Sequence, residues 1–150
     1  MILTTNSMNV RHLNNGSCPK CEEIINKYKD FNSDIYNWFK SLQKLNMEVH
    51  TSCAGRGKAD QEDAFKRGAS KAKYGESAHN FGLAIDLFKI DANGKAEWSI
   101  KFYREVINPA VKMSCLLEHG LDWKKFVDAP HVELKNWKEL VKQGKAKLVE

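Results

Sequence analysis

A histidine and an aspartate stand seven residues apart in the segment 77–86, Ser-Ala-His-Asn-Phe-Gly-Leu-Ala-Ile-Asp. Because side chains alternate along a strand, the apolar pattern after Gly82 predicts Asp86 inside a β-strand and His79 on the loop before it. A carboxylate in an apolar strand is unfavourable unless it is paired or bound to a cation. Imidazole and carboxylate are both zinc ligands, although a loop histidine near a sheet-edge acid is the alternative for this pair alone.

A second segment, Asp-Ala-Pro-His-Val-Glu-Leu at 128–134, carries the same residue types. Alternation places His131 and Glu133 on one face of a predicted strand, and that face can meet Asp86 if the two strands are neighbours. His79, Asp86 and His131 would then give a zinc ion three ligands and leave one position for water, as catalytic sites do. Zinc lowers the pKa of such a water towards neutrality, so the water is the expected nucleophile.

Hydrolysis also needs a general base. Asp128, three residues before His131, is the candidate, and Glu133 is its rival unless it orients His131 from behind. Arg56 lies between two glycines and could hold a substrate carboxylate or stabilise an oxyanion, the alternative being a solvated turn arginine. Weaker candidates, expected at a helix end and in the loop after it, are Glu118, His119 and Asp122, whereas His12 and His50 are assigned structural roles.

The two segments together resemble a known family. Ser77-x-His79-x-x-Gly82-x-Ala84-x-Asp86, followed by Asp128-x-Pro130-His131-Val132-Glu133, looks like the zinc peptidases that cut peptidoglycan stem peptides. This VanY-like family includes D-alanyl-D-alanine carboxypeptidases and the L-alanyl-D-glutamate endopeptidases that bacteriophages use as endolysins. The resemblance runs from about Thr51 to Leu134, and it implies one catalytic zinc ion held by His79, Asp86 and His131, with Asp128 as the base.

The same resemblance places the family's substrate-binding arginine at Arg56. The segment is Thr-Ser-Cys-Ala-Gly-Arg at 51–56, which has one extra residue and lacks the family's aromatic side chain. Ser52 and Ser77, which belong to the two motifs, and Glu133 are assigned to substrate contact or to support of the metal ligands.

The implied function is zinc-dependent cleavage of the peptidoglycan stem peptide, at the L-Ala-D-Glu bond, by a bacteriolytic phage or prophage endolysin. A D-Ala-D-Ala carboxypeptidase and a non-catalytic zinc-stabilised wall- or protein-binding module are the alternatives. The implied partner is the stem peptide, and a monomer is expected. Since the first residues lack signal-peptide features, we expect synthesis in the host cytoplasm and release to the wall through a pore made by another protein.

Composition limits the remaining function classes. No apolar run approaches the roughly 20 residues that span a bilayer, so membrane insertion is not expected. A net charge of +5 suits an anionic partner such as cell wall. Nucleic-acid binding is disfavoured because no predicted helix concentrates Arg and Lys beside aromatic residues.

Helical and strand patterns are interspersed without a regular βαβ rhythm, which predicts an α+β fold, one compact domain over 1–150 with a small antiparallel sheet flanked by helices. The resemblance implies the fold that these peptidases share with the hedgehog signalling domain. Residues 1–20 are expected to form an irregular arm. Strands are predicted at 47–54, 82–90, 95–100 and 131–134. Helices are predicted from Cys21, from Asn32 or Ser33 to Leu45, from Asp60 or Gln61 to Ala69, over 102–117 with a kink or break at Pro109, and after Asn136.

Two further patterns concern the N-terminal third. Five apolar residues at helical spacing predict a core-facing stripe: Ile35, Trp38, Phe39, Leu42 and Leu45. Cys18-Pro-Lys-Cys21 has the spacing of a metal or redox pair, without a second Cys-x-x-Cys to complete a four-sulfur site. A reduced structural pair, a disulfide and an accessory metal clip all remain open for it.

Overall fold

The computed structural model describes residues 18–150, so most of the predicted N-terminal arm lies outside the described residues. Helix α1 (Pro19–Asn26) begins directly after Cys18, with Pro19 in the first turn, where a missing N–H breaks no helical hydrogen bond. Helix α2 (Ser33–Leu45) begins where the side chain of Asn32 accepts the backbone N–H of Ile35 at 3.0 Å. Of the two predicted starting residues, Asn32 and Ser33, the structure therefore has Asn32 as the cap.

Helix α2 packs its apolar stripe into the core. Ile35, Phe39 and Leu42 are buried, and Trp38 is partly buried with its indole N–H donating to the carbonyl of Ala110 at 3.1 Å. Leu45 is 85% exposed, so its predicted core position is wrong. The helix ends at this residue, although Leu42 and Gln43 in the same last turn are buried.

A five-stranded antiparallel sheet forms the centre of the fold. Its strands are β1 (Val49–Cys53), β2 (Ala84–Ile90), β3 (Ala96–Glu97), β4 (Leu117–His119) and β5 (His131–Leu134). The order is β1-β2-β5-β4, and β3, which lies within the strand predicted at 95–100, pairs with the far end of β2. The central pair β2–β5 brings together two segments that are 45 residues apart in the chain.

Helices surround the sheet. Helix α3 (Lys58–Lys66) follows β1, and a continuous helical segment over 100–112 consists of α4 (Ile100–Phe102), a π-helical stretch (Tyr103–Ile107) and α5 (Asn108–Lys112). Pro109 lies in the first turn of α5 and does not end the segment. The predicted helix to residue 117 is wrong, because the chain leaves the helix after Lys112 and residues 117–119 pair with β5 as strand β4.

The last elements are a short 3₁₀ turn (Gly120–Asp122) and helix α6 (Trp137–Lys142). Helix α6 starts after Asn136 as predicted, although the Asn136 side chain makes no capping hydrogen bond. None of the helices within 18–150 is both long and apolar enough to cross a membrane.

The central strands of the sheet have one face that packs into the core and one polar face. Ile85 and Leu87 of β2 and Val132 of β5 are wholly buried, and they belong to one hydrophobic cluster with residues of the surrounding helices, including Phe39 and Ile107. Since side chains alternate, Asp86 and His131 project from the opposite face. The α+β prediction is thus confirmed, and the arrangement leaves one face of the central strand pair available for a polar site.

Candidate metal centre

His79 lies on a tightly held 3₁₀ turn (Ala78–Phe81) just before β2. Ser77 caps the turn, since its hydroxyl accepts the backbone N–H of His79 at 3.3 Å, and Asn80 Oδ1 in return accepts the backbone N–H of Ser77 at 3.1 Å. Gly82 ends the turn at φ +67°, a conformation that favours glycine, and packs against the backbone of Phe31. The His79 ring is 2% exposed and therefore has a fixed direction.

The pairing of β2 with β5 places His131 directly opposite Asp86. His79 Nε2 lies 3.1 Å from Asp86 Oδ1, and His131 Nδ1 lies 3.2 Å from the same oxygen. The two imidazole rings meet edge to face, with centroids 4.9 Å apart. The three side chains that the spacing suggested thus converge on one point, from a turn and two strands.

This donor set fits a divalent metal. Two ligands that are each about 2.1 Å from a tetrahedral zinc ion lie roughly 3.4 Å apart, close to the separations at Asp86. The set contains two imidazole nitrogens, which can be neutral, and one carboxylate oxygen. Such a set suits zinc better than calcium or magnesium, whose ligands are oxygens. His79, Asp86 and His131 could therefore hold one such ion.

Electrostatics couple the three groups. Burial by itself would lower the pKa of His79, but the charge of Asp86 and the neighbouring Cys53 raise it to about 10. Burial likewise opposes protonation of His131, yet contacts with Asp86 and Glu133 raise its pKa. Burial would raise the pKa of Asp86, and the two histidines hold it well below its usual range instead. A cation that binds both imidazoles must therefore displace protons.

Glu133 contacts His131 rather than the open cleft. Its Oε1 lies 2.7 Å from His131 Nε2, the ring nitrogen that does not face Asp86. Glu118, opposite Glu133 on β4, lies close enough that burial and then Glu133 raise its pKa to about 7. Of the two roles open for Glu133, the geometry favours orientation of His131 over proton transfer.

Asp128 lies on a loop, and two hydrogen bonds of its own backbone hold it in place. Its backbone N–H donates to the carbonyl of Gly120 at 3.0 Å, and its own carbonyl accepts the N–H of His131 at 3.1 Å. Gly120 must lack a side chain because a Cβ there would collide with the Asp128 carbonyl. Partial burial, followed by the charge of Asp86, raises the pKa of Asp128, which moves this carboxyl towards the range of a general base at neutral pH.

His119 holds the same loop through a hydrogen bond. Its Nε2 lies 2.6 Å from the carbonyl of Ala129, to which it donates, while Nδ1 accepts from the amide of Asn108 at 3.0 Å. The same amide donates to both carboxylate oxygens of Asp122. His119 and Asp122, the weaker sequence candidates, thus form a buried network that positions the loop.

Arg56 reaches the centre from the other side. One guanidinium nitrogen lies 3.7 Å from Asp86 Oδ2, and another donates to Gln61 Oε1 at 3.1 Å. Its backbone N–H donates to the carbonyl of His79 at 3.0 Å, which ties this loop to the histidine turn. Only 18% of the Arg56 side chain is exposed, so it is not the solvated turn arginine of the alternative interpretation.

A cleft of about 1210 Å³ opens over these groups. Its lining includes the three candidate ligands together with Arg56 and Asp128. Ser52 is exposed on the wall, and Ser77, besides capping the turn, lines the cleft as well. The structure therefore brings every predicted site residue to one cavity.

Sequence reasoning assigned no role to Cys53. Its sulfur lies 3.7 Å from His79 Nδ1, and it is near enough to His79 and Asp86 to share an ion with them. Cys53 faces Nδ1 of His79, whereas Asp86 contacts Nε2 of the same ring. We therefore place Cys53 behind His79 rather than beside His131. The buried Asn108 was missed too, because its partners Asp122 and His119 meet it only after β4 pairs with β5.

Comparisons with known proteins agree with this geometry. A family model described as D-alanyl-D-alanine carboxypeptidase matches residues 70–134. The chain is 33% identical over 91 residues to the peptidoglycan L-alanyl-D-glutamate endopeptidase CwlK of Bacillus subtilis, a match that covers 50% of this chain and 53% of that protein. The chain thus spans about half the length of this curated relative.

A solved structure matches over more of the chain. The L-Ala D-Glu endopeptidase ChiX of Serratia marcescens superimposes with a TM-score of 0.65 and 21% sequence identity, over 81% of this chain and 90% of that one. At that identity the likeness establishes the fold. Residues 70–134, which carry His79, Asp86, Asp128 and His131, are thus similar to the D-alanyl-D-alanine carboxypeptidase family of peptidases.

Proposed function

We propose that this protein is a zinc-dependent peptidoglycan endopeptidase that hydrolyses the stem peptide at the L-Ala-D-Glu bond. The observation that carries the proposal is the approach of His79 Nε2 and His131 Nδ1 to one oxygen of Asp86, in a cleft that also holds an acid and an arginine. The family match supports a peptidase, and the names of CwlK and ChiX support this bond.

The side chains around the centre divide the work of hydrolysis. A zinc ion bound by His79, Asp86 and His131 would lower the pKa of a water and polarise the scissile carbonyl. Asp128 then accepts a proton and passes it to the leaving amine, a role that its raised pKa suits. Arg56 binds a substrate carboxylate or the developing oxyanion, for which its guanidinium offers several donors.

We further propose that the protein acts as a lysis enzyme of a phage or prophage, reaching the wall through a pore made by another protein. Its positive charge supports attraction to an anionic wall. Co-expression with and without a membrane pore tests this role, since lysis should require both proteins. Lysis by this protein alone, or none with the pore, would contradict it.

The activity is tested by digesting purified muropeptides with native protein, chelated protein, zinc-restored protein and His131→Ala, with mass spectrometry as readout. We expect new fragments with a D-Glu amino terminus from the native and restored samples only. Met113→Ala, at a position that is 90% exposed, is the control variant and should cleave normally. Cleavage that survives both chelation and His131→Ala would refute the metallopeptidase assignment.

A D-Ala-D-Ala carboxypeptidase is the second candidate, because the matching family model carries that description. The same digestion separates the two, since a carboxypeptidase releases free D-Ala and leaves the L-Ala-D-Glu bond intact. Bound zinc without any turnover, unchanged by Asp128→Asn, would instead favour a non-catalytic wall-binding module.

A further inference from the structure

Three buried side chains with metal-ligating atoms meet away from the cleft, at the start of α1. They are Cys18, Cys21 and His50, and their ligand atoms all lie within 4.8 Å of one another. Cys21 Sγ is 3.4 Å from His50 Nδ1. His50 is 3% exposed and both cysteines are 2% exposed. The structure therefore gives His50, assigned only a structural role from the sequence, two sulfur neighbours.

The sulfurs of this cluster are surrounded by N–H donors. The backbone N–H of Cys21 points at Cys18 Sγ at 3.4 Å, and the side-chain amide of Gln43 donates to Cys21 Sγ at 3.6 Å. The backbone N–H of Thr51 also donates to Cys21. The neighbouring Cys18 sulfur and burial nevertheless raise the pKa of the Cys21 thiol, so a metal ion that binds these sulfurs must displace protons. Hydrogen bonds from neighbouring groups to the ligands are also typical of metal sites.

The ligand atoms of Cys18, Cys21 and His50 are close enough together to share one ion. Two sulfurs and one imidazole nitrogen are a soft donor set that selects zinc among the common divalent metals. We propose that Cys18, Cys21 and His50 bind a second zinc ion, with a structural role.

Such an ion would join three elements. Cys18 and Cys21 lie at the start of α1, His50 lies on β1, and Gln43 on α2 also donates to the carbonyl of Val49 at 2.9 Å. β1 pairs with β2 next to Asp86 and leads into the loop that carries Arg56. The zinc would thus fasten the edge strand of the sheet, and its binding free energy would add to folding stability.

Metal content of the full chain tests the proposal independently of peptidase activity. The native protein should hold two zinc ions, Cys21→Ser one, and His131→Ala one, whereas the exposed Cys115→Ser, as matched control, should keep both. Loss of the second ion should also lower Tm in Cys21→Ser. One zinc ion in native protein, with that ion lost in His131→Ala, would overturn the second site, even if muropeptides are cleaved.

Cobalt substitution keeps the test decisive if Cys21→Ser does not fold. Cobalt bound to thiolate gives a near-ultraviolet charge-transfer band, which imidazole and carboxylate ligands do not. The only described cysteine near His79 and Asp86 is Cys53, so Cys53→Ala should retain the band. Loss of the band in Cys53→Ala, or a native mass lower by two hydrogens with no bound metal, which indicates a disulfide, would refute the proposal.

Discussion

Glu133 Oε1 lies 2.7 Å from His131 Nε2, on the same face of the same strand. Because the carboxylate accepts the proton on Nε2, the neutral ring carries its lone pair on Nδ1, the nitrogen that faces Asp86 Oδ1. Burial alone would raise the pKa of Glu133, and its contact with His131 lowers it instead. The pair sets both the tautomer and the direction of a candidate metal ligand.

Removal of this carboxylate should weaken zinc binding without unfolding the protein. We expect Glu133→Gln to lower zinc affinity by about 10- to 100-fold, the usual effect of losing such a support, as measured by competition with a chelator of known affinity. An activity loss with unchanged zinc affinity would contradict this and make Glu133 the base.

Substitution of the proposed base should separate binding from chemistry. Asp128→Asn should retain zinc and lower the rate of muropeptide cleavage by about 100-fold or more, since general bases contribute roughly 10²–10⁴. Asp34→Asn, an exposed carboxylate on α2, is the matched control. Normal cleavage by Asp128→Asn would exclude Asp128 as the base.

Glu118 predicts a pH-dependent change in stability. Its pKa is raised from 4.5 to about 7, by burial and then by Glu133. The folded state therefore binds its proton more tightly than the unfolded state, so stability falls as pH rises between these values and is constant above them. Glu118→Gln removes this loss, and its Tm should exceed that of the native protein at about pH 8 but not near pH 4.5.

Thermal unfolding of the zinc-loaded protein across this range measures the difference. Glu105→Gln, at an exposed position of the 100–112 segment, should leave the pH dependence of Tm unchanged. Equal pH profiles for Glu118→Gln and native protein would contradict the prediction.

Asn108 should matter for stability although it lies outside the cleft lining. Asn108→Ala leaves the buried His119 Nδ1 without its donor, which should lower the free energy of unfolding by about 1–3 kcal/mol. Denaturant titration measures this loss, with Met113→Ala as the control. Cleavage should weaken as well, because His119 holds the carbonyl beside Asp128. An unchanged free energy of unfolding would show that the network contributes little.

The approach of Asp86 and His131 to each other was partly predictable because its signal is local to two strands. Alternation put Asp86 on one face of β2 and His131 with Glu133 on one face of β5, and those faces meet because β2 and β5 are neighbours in this register. Asn32 was likewise recognisable as a cap from its position before an apolar stripe.

The remaining features depend on contacts between distant segments. The apolar residues over 102–117 have helical spacing, yet pairing with β5 takes Leu117 into a strand, and with it Glu118 and His119. Tertiary pairing overrides local propensity here. The meeting of Cys21 with His50, 29 residues apart, has no local signature either.

The register of β2 against β5 also bears on how the protein folds. A slip of one residue would turn either Asp86 or His131 to the opposite side of the sheet and abolish the centre. These strands are 45 residues apart, and such non-local pairings form slowly. The time at which refolding chains first bind an ion at this centre would therefore report when β2 and β5 pair.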